Sequence, residues 1–387
     1  MISKIDRFML GCTIFASMKI LRLTLSLFLS LFALKGYPQA YINPSVDTSF
    51  TEVKVALRFY QEYLSAFQSE KLPDLSLYWP ASELKSRKIP DQMLYAINSS
   101  PLYSQGFKST IFYVRASAEN VQIKTQLSNV DSTGNVNIFA VTNHFVNFNS
   151  KGKPYFINPM TRSLGNWRER KVREITYYYP ATQRFNKKKA DSLMASIIKL
   201  EKQWNLKPIA IRYYMADDYD EIQKLRGFDF TLQMGNHIKP SGISDDTDNQ
   251  VFGGGKGENY FHEVVHVYLN RLFPNSPLRE GLAVFYGGSM GRTDKWHLKR
   301  VNTYLIEHPE ADLSDFNEFW YPDPFTNAGS SIKGMLCKLV FEKDGFQGLK
   351  RLMSHSSYAE IFEKEFGVKG TQINAFLRTK VAESAQN

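Results

Sequence analysis

Phe261, Val264, Val265, Tyr268, Leu269 and Leu272 recur at three- and four-residue intervals, which predicts an α-helix with one apolar stripe. The rest of the chain must cover that stripe, so this segment fixes the centre of whatever core forms around it. His262 and His266, four residues apart, differ by only about 40° around such a helix. Both imidazoles therefore face one point in space, and Glu263 projects beside them. Pro274 and the NSP stretch end the helix, while Ser276 followed by Pro277 predicts the N-cap and first turn of a second one. The connection is short, so the second helix doubles back and carries the Glu280 carboxylate toward the histidines. Gly281 and Ala283 are small enough to let the two helices approach closely.

Residues 262–266 read H-E-V-V-H, an H-E-x-x-H arrangement whose residue types suit one chemistry. Neutral imidazole nitrogens are good ligands for Zn2+, and a catalytic zinc takes three protein donors with one position left open. The expected donors are His262, His266 and Glu280. Glu263 is badly placed to be a ligand, but it can take a proton from water at the open position and so is expected to be the general base. HEVVH followed by LREGLAVFYGG (Leu278 to Gly288) resembles the gluzincin zinc metallopeptidases, in particular the peptidase MA-like group. The resemblance is close over about thirty residues, and the order of elements extends it to 186–387. It implies the same ligand set and the same base. It also implies a strand before the zinc helix that borders the cleft and pairs with peptide, for which Gln250 to Phe252 are the counterpart. The glycines of GGGKG would then let substrate backbone approach. The family usually carries a downstream tyrosine or histidine that stabilises the oxyanion. PFTNAGSS, which precedes the helix-like stretch Ser330 to Gly345, has no tyrosine at that place, so Tyr321, Tyr304 and His297 are the candidates.

The remainder of the chain divides by texture. Residues 50–70 have a helical pattern, and strand-like runs follow from about Ser109, with turn signals at DSTG and NSKG. WRERKVREITYYYP reads as one further strand closing this half at Pro180. After it come a helix over 186–204, a strand at Ile209 to Met215, a helix over 217–225 and a Gly- and Asp-rich loop holding the short strand at Gln250 to Phe252. From Glu258 onward the pattern is mostly helical. The expected fold class is α+β. An N-terminal domain of helix plus antiparallel sheet (41–182) precedes a mostly helical zincin-like metallopeptidase domain with a small mixed sheet (183–387). The order of elements in the first domain vaguely resembles cystatin-like or nuclear-transport-factor-like cones.

Residues 1–40 have the layout of a secretory signal peptide: Lys19 and Arg22, an apolar run from Leu23 to Leu34, then small or polar residues near Ala40. An uncleaved anchor is the alternative, and Cys12 has too short an apolar stretch before it to be an acylation site. The expected destination is the periplasm or the extracellular space, with no stable membrane span in the mature chain. The first forty residues hold five of the bases and one of the acids, so the formal net charge of +10 falls to about +6 without them. Lys187 to Lys189 form the only tight basic cluster and read as a solvated helix start, so no nucleic-acid partner is expected. Cys337 lies in an apolar helical stretch and reads as a buried, inert thiol. Asp245, Asp246 and Asp248 lack the glycine a calcium loop needs and read as a solvated loop. His144, His237, His308 and His355 are isolated in sequence. The leading expectation is an exported zinc peptidase acting on peptide or protein. The competing one is a catalytically weak or inactive binding protein on the same scaffold, recognising peptide or glycan.

Overall fold

The computed structural model describes residues 40–66, 73–98, 107–236 and 241–386. The expected signal segment other than Ala40, Cys12 and His237 lie outside the described residues.

The first half begins with a short strand β1 (Tyr41–Ile42) and helices α1 (Thr51–Ala66), α2 (Ala81–Ser86) and α3 (Gln92–Asn98). An antiparallel meander follows: β2 (Lys108–Ala116), β3 (Val121–Val130), β4 (Val136–Phe148) and β5 (Pro154–Ile157), with β1 parallel to β2 at the edge. Alternation makes one face of the meander apolar. Along β3, Val121, Ile123, Thr125 and Leu127 point inward while their neighbours are more open. Tyr60, Tyr63 and Phe59 of α1 pack onto that face around Phe156.

A short helix α4 (Pro159–Ser163) leads to β6 (Trp167–Val172) and β7 (Ile175–Pro180), then α5 (Lys187–Trp204), β8 (Ile211–Ala216), α6 (Tyr219–Arg226), β9 (Phe228–Thr231), β10 (Gly242–Asp245) and β11 (Gln250–Gly254). The second sheet has the order β10-β11-β8-β7-β6. Its three central strands are parallel, and each edge strand is antiparallel to its neighbour. The fold is thus mixed α and β, with sheets first and helices last, as expected.

Two expectations about this region need correction. WRERKVREITYYYP is not one strand but a hairpin, turned at Arg173 and Glu174 with Arg173 at φ 51°. Nor does it close the first half, since β7 pairs with β8 in the second sheet. The reason is aromatic packing across neighbouring strands. Tyr177 meets Tyr213 at 5.0 Å on one face, and Tyr178, Tyr214 and Phe252 stack at 5.1 and 4.9 Å on the other. Strand β9 goes the opposite way, from the second half back onto β4. The change of texture near 180–186 therefore does not separate the sheets.

The last third is helical: α7 (Phe261–Leu269), α8 (Arg279–Gly287), α9 (Asp294–Glu307), α10 (Ala328–Met353, broken at Gly345), α11 (Tyr358–Ile361) and α12 (Gln372–Gln386). Val264, Val265, Tyr268 and Leu269 of the predicted stripe are buried in a core with Leu282, Ile332, Met335 and Leu336. Cys337 is fully buried there, and burial pushes its thiol far above the ordinary range. No helix among the described residues is long and apolar enough to cross a membrane.

Asp294, at the start of α9, is mostly buried with Oδ1 unpartnered, and burial pushes its carboxyl up to about 7, with Lys338 opposing. Between about pH 4 and 7 the folded chain keeps this proton while the unfolded chain releases it, so stability falls as pH rises through that window. Asp294→Asn is expected to flatten this dependence and to stabilise the protein at pH 8 by up to about 4 kcal/mol. Denaturant midpoints at pH 5 and pH 8 measure it. A variant with the wild-type pH profile would show the effect to be absent.

Candidate metal centre

The buried stripe of α7 sets the orientation of its other side. With Val264, Val265 and Tyr268 in the core, His262, Glu263 and His266 open toward a cavity of about 710 Å3, each still less than a tenth exposed. The second helix starts later than Ser276 and Pro277 suggest. The Ser276 amide is taken by the Phe273 carbonyl, and the Ser276 hydroxyl accepts from Leu278 N, so the first helical residue is Arg279. Close packing of α8 on α7 also comes from a different glycine. Gly281 lies against the backbone of Lys333 in α10, whereas a Cβ on Gly287 would sit 2.5 Å from His262 N. Gly287 is what lets α8 run against the start of α7.

That packing brings Glu280 to the histidines. Glu280 Oε2 lies 3.2 Å from His266 Nε2 and 3.6 Å from His262 Nε2, and the two Nε2 atoms are 3.3 Å apart. Among the described residues these three side chains form a group whose ligand atoms all lie within 4.8 Å of one another. Each ring is fixed from behind. His262 Nδ1 meets the Gly288 carbonyl at 2.6 Å, and His266 Nδ1 meets Asn270 Oδ1 at 3.2 Å. An acceptor at Nδ1 holds the proton there and leaves the Nε2 lone pair free for a metal. The donor set fits zinc in spacing as well. Corners of a tetrahedron with bonds of about 2.0–2.1 Å lie about 3.3–3.4 Å apart.

Without an ion the three groups perturb one another strongly. Burial disfavours charge on His262, but the hydrogen bond and charge of Glu280 outweigh it and push the imidazole up to about 9. Burial opposes ionisation of Glu280 too, yet the two histidines hold its carboxyl far below the usual range. Glu263 has a different environment. Burial raises its carboxyl, the histidine charges pull it down, and the Ser244 hydroxyl makes a hydrogen bond to it.

Strand β10 and the loop 319–324 form the walls above this floor, with Ser241 to Ser244 on one side and Phe319 to Tyr321 on the other. The expected cleft strand is therefore misplaced. Gln250 to Phe252 belong to β11, which has β10 on one side and β8 on the other, and among the described strands β10 is the end strand on the cavity side of the sheet. The glycines of GGGKG serve the chain itself. Gly254 lies against the backbone of Asp218 and Tyr219, and Gly253 against the Tyr213 hydroxyl.

Of the three candidates for oxyanion stabilisation, only Tyr321 lines the cavity, and its hydroxyl donates to Asp323 Oδ2 at 3.1 Å. His297 is buried with Nδ1 on Thr326 and Nε2 on the Ser289 carbonyl. Tyr304 stacks on His308 and meets the Tyr321 ring at a tilt, 5.0 Å away. Tyr219 and Tyr260, which the sequence did not single out, do line the cavity. Asn270 was also missed, although its i+4 spacing from His266 is a helical signal. Asp245 and Asp248 are not a loose solvated loop: Asp248 accepts from the amides of Lys88 and Ile89, and Asp245 from the Gln92 side chain, which ties this segment to α3 and the connection before it. His144 pairs with Asp91 in the first core, and His355 pairs with Glu365 and Glu360. Lys187 to Lys189 are exposed at the start of α5. No family model matches the chain, and no curated protein matches it.

Proposed function

We propose that this chain is an exported zinc-dependent metallopeptidase of the gluzincin type, with His262, His266 and Glu280 as ligands and Glu263 as general base. One observation carries the reading: both histidines have Nδ1 held by an acceptor while their Nε2 atoms converge with Glu280 Oε2 at 3.2–3.6 Å. Bound zinc supplies a Lewis acid that polarises a carbonyl oxygen and lowers the pKa of water toward about 7. The Glu263 carboxylate takes the proton of the attacking water and passes it to the nitrogen of the leaving amine. Burial raises that carboxyl, which makes it the stronger proton acceptor. Among the described residues β10 pairs with β11 alone, so its outer edge can hold an extended substrate beside the site through backbone groups that β11 does not use.

A second reading draws on the candidate oxyanion groups. Tyr321 gives its hydroxyl to Asp323, and Tyr304 and His297 do not line the cavity, which favours a catalytically weak binding protein for peptide or glycan. An intact Glu263 beside the donor set speaks for turnover. Incubating the zinc-loaded full chain with a peptide mixture separates the two. Cleavage abolished by a zinc chelator and restored by zinc is expected; no cleavage of any peptide would favour the binding protein.

A further inference from the structure

A second cavity, of about 670 Å3, lies among α5, α7, α8 and α10, and among the described residues it shares no lining residue with the metal cavity. Small-molecule sites commonly have volumes of about 300–1,000 Å3. The floor is apolar. Phe285 packs against Tyr286 at 4.9 Å and Phe341 at 5.2 Å, and Phe261 and Leu200 complete it. The four aromatic side chains are only half-buried, so a continuous apolar surface stays open to solvent. Polar groups on this floor are largely engaged. The Tyr286 hydroxyl accepts from the Trp204 indole at 2.9 Å, and the Ser196 hydroxyl donates to the Ser192 carbonyl at 3.3 Å. A peptide laid here would leave much of its backbone unpaired, whereas a hydrocarbon chain has no hydrogen bonds to lose.

Charge sets the other end of the occupant. Lys199 and Lys202, one turn apart on α5, line the groove and are exposed. Among the described residues neither has an ion-pair partner, and no carboxylate lines the groove. The carboxylates nearest in sequence to its lining residues are engaged elsewhere: Glu201 accepts the Tyr268 hydroxyl at 2.6 Å, and Glu342 meets Lys338 at 3.7 Å. An aromatic floor bordered by two unopposed ammonium groups complements a molecule that is apolar along its length and anionic at one end.

We infer that this groove binds a free single-chain anionic amphiphile, of which a long-chain carboxylate is the simplest, with its chain on Phe261, Phe285 and Phe341 and its head beside Lys199 and Lys202. Neither zinc nor hydrolysis enters the test. Dodecanoate, kept below its micelle concentration, would be titrated calorimetrically into the full chain, and one bound molecule per chain is expected. Octanoate, four methylenes shorter, should bind about a hundredfold more weakly. Dodecyltrimethylammonium, with the same chain and the opposite charge, should bind at least about tenfold more weakly than dodecanoate. Lys199→Glu together with Lys202→Glu should weaken dodecanoate binding at least about tenfold. Both side chains are exposed, so the fold has no reason to fail. The same charge change at Lys151 and Lys153, in the exposed turn between β4 and β5, should leave the affinity unchanged. No binding of dodecanoate, equal binding of octanoate or of the cationic amphiphile, or the same loss in both lysine pairs would overturn the inference. Binding to phosphatidylglycerol vesicles with none to dodecanoate would assign the surface to a bilayer and overturn it as well.

Discussion

Glu263→Gln is expected to keep its zinc and to lose peptide hydrolysis by about 10²–10⁴-fold, the usual contribution of a positioned general base. The substitution is nearly isosteric and leaves the three convergent donors untouched, so metal content should not change. What it removes is a group able to accept a proton beside the metal. The Ser244 hydroxyl can still bond to the amide, so the local packing has no reason to collapse. Steady-state rates on an internally quenched peptide, with metal analysis of the same sample, measure both quantities. Unchanged turnover would remove Glu263 from the mechanism. Loss of zinc along with activity would make it a ligand instead.

The second large effect is on stability. Zinc binds the folded donor set and has no comparable site in an unfolded chain, so at a thousandfold excess over its Kd it should stabilise the protein by about 4 kcal/mol. For a chain of this size that corresponds to about 5 °C in Tm. His266→Ala removes one of three donors and is expected to abolish the response, leaving Tm independent of added zinc. A rise of the same size in wild type and variant would mean that zinc acts elsewhere on the protein.

The parts of this site legible in the sequence are those set by local spacing. The apolar stripe of α7 fixed which side of the helix is buried, and the i, i+4 histidines follow from it. Glu280 was legible because a short loop ended by prolines leaves a returning helix few directions. The parts that were not legible are set by distant contacts. All four residues of β10 are half-buried, so its sequence, Gly-Ile-Ser-Asp, shows no alternation, and only pairing with β11 makes it a strand. The turn between β6 and β7 uses Arg173 in the left-handed region, where a glycine or asparagine would have announced it. Gly287 and the carbonyl of Gly288 matter through backbone position alone. One supports the approach of two helices and the other holds a histidine ring, and neither leaves a side-chain signature.

The zinc content of the purified full chain tests the central claim most directly. One zinc per chain is expected in wild type after dialysis against metal-free buffer, and almost none in a variant carrying both His262→Ala and His266→Ala. A folded wild type free of metal, or a double variant that retains as much zinc as wild type, would contradict it.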